Sequence, residues 1–284
     1  MLEVAMTVFR FSLAILPFLI LVPSVSGTAI PISLGSAGSF AVLAGSTVTN
    51  TGTSVVDGNV GVSPGSAITG FPPGIITAPS TFYTNAVATQ AQADSTTAYL
   101  FAQSEPCSIN LSGEDLGGLT LLPGSYCFGG SAGLTGSLTL NSLGDPDAQF
   151  LFQISSTLTT ASNSSVIFIN GGDGDNVVWQ VGSSATLGSG TQFTGDILAL
   201  TSISLVTGAD ITCGRALAQN GAVTMDTNDI TINSTGCQAA STAVPEPAML
   251  PLFFTAIFAG SLWIGRRYIP ISTGSFLSAG KRTS

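Results

Sequence analysis

A repeat of about 19 residues constrains this chain more than any single motif. Trp179-Gln180-Val181, Ala185-Thr186-Leu187 and Phe193-Thr194 form one set of short apolar/polar pieces. Ile197-Leu198-Ala199, Ile203-Ser204-Leu205 and Ile211-Thr212 form the next, then Leu217-Ala218-Gln219, Val223-Thr224-Met225 and Ile230-Thr231. Leu187 to Leu205 is 18 residues and Leu205 to Met225 is 20. Upstream, Phe152-Gln153-Ile154, Leu158-Thr159-Thr160 and Val166-Ile167-Phe168 belong to the same series, and an earlier coil runs through Leu134-Thr135 and Leu138-Thr139-Leu140. Each unit has three strand-like pieces of period two, broken by Gly, Ser, Asn and Asp corners. Such a repeat stacks coil on coil into a three-faced β-solenoid, or β-helix. Expected inward columns are Trp179/Ile197/Leu217, Ala185/Ile203/Val223 and Leu187/Leu205/Met225.

One segment does not repeat. From Ser80 to Ser104 the chain is rich in Ala and Gln, with no Gly or Pro. Tyr83, Val87, Ala91, Ala98 and Phe101 recur mostly at three- and four-residue steps, which predicts a long α-helix over about 80–104, ended before Pro106. Strand-like runs precede it at Phe40–Leu43, Thr47–Thr49 and Val55–Val62. The helix therefore interrupts a discontinuous solenoid and packs alongside it.

Both ends read as targeting segments. Arg10, an apolar run from Phe11 to Val22 and Val25-Ser26-Gly27 predict a signal peptide over 1–27, cleaved before Thr28. Near the other end, Val244-Pro245-Glu246-Pro247 precedes an apolar stretch, 248–265, and then Arg266-Arg267. This order resembles the C-terminal sorting signals of exopolysaccharide-producing Gram-negative bacteria, although 17 further residues follow the arginines. The stretch is also about long enough for a membrane anchor. Both readings put the domain, 28–243, in the secreted or cell-surface compartment, with membrane or sorting-machinery contact through the tail 244–284. Cys107, Cys127, Cys213 and Cys237 all lie in the exported part. An even count there predicts two disulfides, the sequential pairs Cys107–Cys127 and Cys213–Cys237 being favoured over two other connectivities.

Composition then removes most chemistry. The chain of 284 residues has 6 basic residues, 15 acidic ones and no histidine, a formal net charge of −9. Within 28–243 the only basic residue is Arg215, so nucleic acid is excluded as a partner. Without His or Lys there is little from which to build an enzyme, a metal site or a cofactor site, and none is expected. Asp173, Asp175, Asp196, Asp210, Asp226 and Asp229 mostly sit at corners, where Asp favours turns. Gly171-Gly172-Asp173-Gly174-Asp175 resembles one calcium-binding glycine-rich nonapeptide, but those sites need stacked copies, and a turn insertion is the reading kept.

What remains is the surface of the coils. On the second face a column of small alcohols, Thr135, Thr159, Thr186, Ser204 and Thr224, points outward. Its neighbour two residues earlier holds Thr157, Ser184, Ser202 and Ala222. Strand and residue spacings of about 4.8 and 6.7 Å make this a grid of methyls and hydroxyls. A rigid grid that holds water at fixed spacing can freeze onto ice with little entropy lost. The plain alternative is that Thr and Ser simply suit exposed strands. A second column, Thr194/Thr212/Thr231, shows that such arrangements are common here.

Several blocks carry a family resemblance. They are Leu34-Gly35-Ser36-Ala37-Gly38-Ser39-Phe40-Ala41-Val42-Leu43-Ala44, Gly58-Asn59-Val60-Gly61-Val62-Ser63-Pro64 and Ile68-Thr69-Gly70-Phe71. Leu122-Pro123-Gly124-Ser125-Tyr126, Phe150-Leu151-Phe152-Gln153-Ile154, Val178-Trp179-Gln180-Val181-Gly182 and Gly214-Arg215-Ala216-Leu217-Ala218 continue the series. Together they resemble the secreted microbial ice-binding (antifreeze) proteins, over nearly all of 32–233. The resemblance implies a right-handed discontinuous β-solenoid with a long helix alongside, and one flat β face that adsorbs to ice. It brings Thr49 and Thr69 into the second-face column beside the residues above. The implied activity is thermal hysteresis and inhibition of ice recrystallisation, from a monomer whose partner is the ice crystal. The rival is an extracellular adhesin or matrix protein on the same scaffold without ice affinity.

Overall fold

The computed structural model describes residues 31–172 and 174–232. The segment expected to be a signal peptide, Asp173, Cys237 and the tail lie outside them. The described chain is a three-sided solenoid of parallel sheets with nine, seven and eight strands, here sheets A, B and C. Each full coil visits A, then B, then C. The coil Asp196–Ala199, Ile203–Leu205, Asp210–Thr212 is typical and is followed by Ala216–Ala218, Val223–Met225, Asp229–Thr231.

The stacking order is not the chain order. The first coil, Phe40–Ala44, Thr47–Asn50 and Val55–Asp57, lies on the last one, through Leu43↔Leu217, Val48↔Val223 and Val56↔Ile230. The second coil, Asn59–Val62, Ala67–Thr69 and Ile75–Ile76, follows at that end. The chain then returns to the far end through helix α1, Ala86–Ser104, and resumes at Ile109–Asn110. A helix of 19 residues is about 28 Å long. It packs on strands from Asn59–Val62 to Phe150–Ile154, five spacings or about 24 Å. The helix length is thus matched to the stack it crosses.

The expected helix begins six residues too early. Phe82–Tyr83 instead pairs with Asn59–Val62, and Asn85 caps α1 by accepting from the Val87 amide. The expected stripe is also corrected. Val87 and Phe101 are exposed, and the buried positions are Ala88, Ala91, Gln92, Ser95, Ala98, Tyr99 and Ala102. Small residues let the helix approach sheet A, and the large side chains come from below: Leu43, Leu151, Val178, Leu198 and Leu217. Leu217 therefore pairs with Leu198 under the helix, and Ala216 takes the inward place beside Ile197. A sheet covered on both faces has no alternating pattern to separate the two sides. Gln92 Nε2 donates to the Ala218 and Gln219 carbonyls, and Gln153 Nε2 to those of Ala102 and Glu105, pinning both ends of the helix.

The interior is aliphatic, with a stack of Tyr126, Phe152 and Trp179 whose latter two rings lie 3.9 Å apart. The other expected inward columns hold, Ala185/Ile203/Val223 and Leu187/Leu205/Met225. At the corner between B and C, buried polar groups satisfy the turning backbone. Asn228 Nδ2 donates to the Val206 and Ala209 carbonyls, and the Thr160 and Thr191 hydroxyls pair at 2.8 Å. The Cys107–Cys127 disulfide is present, with Cα atoms 5.7 Å apart. The second expected pair, Cys213–Cys237, has its Cys237 half outside the described residues.

Candidate functional site

The three faces differ in what they offer. Sheet A lies under α1. Sheet C presents carboxylates outward: Asp210 stands beside Gln192, whose Nε2 it accepts at 3.0 Å, while Asp229 pairs with Val55 and Asp57 with Thr231. Exposed Ile75, Ile167 and Ile169 are scattered among them. The column Thr194/Thr212/Thr231 is real, but it shares its face with these acids and aliphatics. Sheet B alone is open and free of charge along its strands.

The rows of sheet B follow one another without a bulge. Its central outward column runs Gly133, Thr159, Thr186, Ser204, Thr224, Thr49, Thr69. Seven rows span about 29 Å at the usual strand spacing. The column joins both halves of the chain, since Thr224 and Thr49 are neighbours only because the first coil stacks on the last. The residue two before each gives a second column: Ser131, Thr157, Ser184, Ser202, Ala222, Thr47 and Ala67. On this face, Thr159, Thr224 and Thr69 are exposed, while Thr49, Thr186 and Ser204 are half-buried.

Hydrogen bonding separates the columns. Ser184 and Ser202 Oγ accept from the amides of Ser202 and Ala222, and Thr157 donates to Ser131 at 2.8 Å. In the central column no hydroxyl of Thr159, Thr186, Ser204, Thr224, Thr49 or Thr69 is bonded to another described residue. Their hydroxyls, with the methyls of the five threonines, stand on the outward side of the sheet at a spacing fixed by the backbone ladder. The flanking hydroxyls hold the sheet, and the central ones are left to water.

One expected residue is misplaced. Thr135 does not lie in the central column, where Gly133 pairs with Thr159. Thr135 is two positions further on, donating from its amide and hydroxyl to the two oxygens of Asp115. The alcohol-to-alcohol match in the sequence hid the glycine. The sequence reading also passed over Thr47 and Ser131, although the alternation Thr47-Val48-Thr49 already placed Thr47 beside Thr49.

Charge touches this face only at its margins among the described residues. Asp115 bridges to Gly133 at the far end of the stack. Burial pushes its carboxyl up, but the Thr135 and Gly117 amides and the Thr135 hydroxyl outweigh that and hold it below the usual range. Asp226 stands two positions beyond Thr224 and accepts from Thr207 at 2.6 Å. No group of three or more His, Cys, Asp or Glu side chains among the described residues is arranged to hold a metal.

A family description, ice-binding-like, matches residues 42–231, which takes in nearly every coil. The chain belongs to the ice-binding-like family. An ice-binding protein of Nostoc sp. (strain HG1) is 59% identical over 214 residues, covering 75% of this chain and 79% of that one. A crystal structure of an ice-binding protein from an Antarctic biological consortium has a TM-score of 0.70 at 47% identity, covering 74% of this chain and 95% of that one. One from the Antarctic ascomycete Antarctomyces psychrotrophicus gives 0.69 at 40% identity, covering 72% and 100%. These relatives span bacteria and fungi, and ice binding is what their names share.

Proposed function

We infer that this chain binds ice through the outward face of sheet B, by adsorption and without turnover. The observation that carries the reading is the central column, Thr159, Thr186, Ser204, Thr224, Thr49 and Thr69, whose hydroxyls have no partner in the described protein. Water held by these groups sits at intervals set by a rigid sheet, so little order is lost when it joins a crystal. The methyl groups beside them keep that layer from being bound as tightly as at a charged surface. Adsorbed molecules would pin the ice front, which curves between them, so that growth stops over a small temperature interval and recrystallisation slows. Family membership supports ice binding itself. Thr157, Ser184, Ser202, Thr47 and Ser131 serve as its second rank.

The segments 1–27 and 244–284 support export to the cell surface or beyond, where such a protein meets ice. A monomer is sufficient, because the face lies on one chain. The direct test is freezing-point hysteresis and crystal shaping by the purified protein in glycan-free water. Shaping and a growth gap support the reading. Crystals that grow past it unshaped return the chain to the adhesin class.

A further inference from the structure

We propose that Thr207 is a positioning residue for ice contact, which holds the carboxylate of Asp226 off the outward face of sheet B. The proposal rests on the ice-binding reading above and adds residues outside the alcohol columns on which that face depends.

The residue two after each central position continues the face towards the corner with sheet C. In the middle rows this third rank is Ala161, Gly188, Val206, Asp226 and Thr51. It still belongs to the sheet, since the Ala161, Val206 and Thr51 amides donate to the Leu134, Leu187 and Met225 carbonyls of the adjoining coils at 2.9–3.0 Å. Small and aliphatic side chains suit a surface that meets ice. A carboxylate does not, because it holds its own water shell and gives it up only at a large cost. Asp226 is the only ionisable residue in the three ranks, and it lies between Val206 and Thr51. No cation is at hand to neutralise it: the only basic side chain among the described residues, Arg215, is buried against Asp196 at 2.9 Å.

The corner around Asp226 is built unlike its neighbours. Seven positions separate Thr186 from Phe193, Ser204 from Ile211 and Thr49 from Val56, but six separate Thr224 from Ile230. In this shorter turn Thr227 takes the left-handed conformation (φ 59°), where the two preceding coils have Gly190 and Gly208 (φ 68° each). A β-branched residue rarely adopts it. The Asp226 amide also leaves the ladder and donates to Asn228 Oδ1. The side chain follows. One carboxylate oxygen accepts from the Thr207 hydroxyl at 2.6 Å, the length of a charge-assisted bond, and the other from the Thr227 hydroxyl at 3.3 Å. Gly52 completes the seat, for a Cβ there would lie 2.8 Å from Asp226 Oδ1 and collide with Thr227 Oγ1. Thr207, Thr227 and Gly52 each stand one position past the third rank, so the charge is drawn to the corner and away from the central column. Thr207 makes the short bond and is itself exposed, so it can be changed without disturbing the core.

The test compares freezing-point hysteresis and melting temperature across variants of the full chain. Thr207→Val keeps the shape of the side chain and removes its donor. The freed carboxylate should swing onto the face and lower hysteresis several-fold at an unchanged melting temperature. Thr207→Ala, which lacks the donor in a smaller side chain, should do the same. Thr207→Ser keeps the donor and should match the parent. Thr207→Val combined with Asp226→Ala should also match it, because no charge is left to swing. Val206→Asp places a carboxylate in the same rank without the seat and should lower hysteresis as Thr207→Val does. Undiminished hysteresis in folded Thr207→Val and Thr207→Ala, a loss that Asp226→Ala does not restore, or an undiminished Val206→Asp variant overturns the proposal and leaves the ice reading standing. If the parent protein itself gives no hysteresis, both fall.

Discussion

Replacing Thr186 with Tyr tests the face through its flatness. Side chains stand nearly perpendicular to a sheet, and a tyrosine reaches roughly 4 Å further out than a threonine. From Thr186 the column continues through Ser204, Thr224 and Thr49 to Thr69, four spacings or about 19 Å. A flat lattice resting on the tyrosine and on Thr69 would stand about 1 Å off Thr49, 2 Å off Thr224 and 3 Å off Ser204. A gap of 0.5–1 Å already forfeits about a quarter to a half of a dispersion contact, so every row between the supports is lost. Tilting the other way leaves only the two rows of Thr159 and Gly133. Hysteresis should fall to less than about a quarter, measured by nanolitre osmometry on protein whose circular dichroism and melting temperature match the parent. Thr212→Tyr, on sheet C, should change it little. A folded Thr186→Tyr variant with undiminished hysteresis, or a Thr212→Tyr variant that loses it, would refute the assignment of the face.

The remaining predictions concern the ends and seams of the same face. Gly133→Thr should extend the alcohol column to the seventh row and raise hysteresis at equal concentration; the new Cβ meets Asp115 Oδ2 at 3.1 Å, so that side chain must swing aside. Removing the Cys107–Cys127 bridge by paired Ser substitutions opens a loop of 20 residues, costing about 3 kcal/mol. Native-state hydrogen exchange should show the loss concentrated at the Ile109–Asn110 end. Arg215→Met leaves the buried Asp196 carboxylate without its cation, a cost of about 3–5 kcal/mol or a melting temperature lower by roughly 6–20 °C, of which Asp196→Leu should recover part. Hysteresis should be level from about pH 5 to 9 and insensitive to EDTA, because no ionisable group stands within the central rows. In acid the sign is set by Asp115: its folded carboxyl is depressed, so its contribution is complete above the ordinary carboxylate range and is lost as pH falls through the lower folded value.

Much of the solenoid was legible because sheets B and C are buried on one side only. Phe193/Ile211/Ile230 and Ala185/Ile203/Val223 alternate with polar neighbours, and alternation fixes register. Sheet A was not legible in this way. Leu198 and Leu217 look as inward as Ile197, since α1 buries the side that would otherwise be polar. The helix start was hidden by Phe82–Tyr83, whose aromatic residues fit the helical stripe yet pair with Asn59–Val62. At the site, four of the six central alcohols follow from strand alternation in the coils and Thr49 and Thr69 from the family resemblance, but Gly133 could not be told from its neighbour Thr135 by residue type. The rule that the outward rank must follow the inward rank, Ala132↔Leu158 and Leu134↔Thr160, was needed to place it. No pattern of residue types shows which hydroxyls are already engaged; Ser184 and Thr186 differ only in their neighbours' geometry.

The seam where the first coil rests on the last has a temporal consequence. Thr49 and Thr69 emerge early in synthesis, yet their platform is the coil that ends at Thr231, some 160 residues later. Until that coil is made the two opening coils pair only with each other, and the row of alcohols stays one-third short. Contacts so distant along the chain form slowly, so a truncation that spared every alcohol upstream of Ala216 would still leave Thr49 and Thr69 without a place in the row.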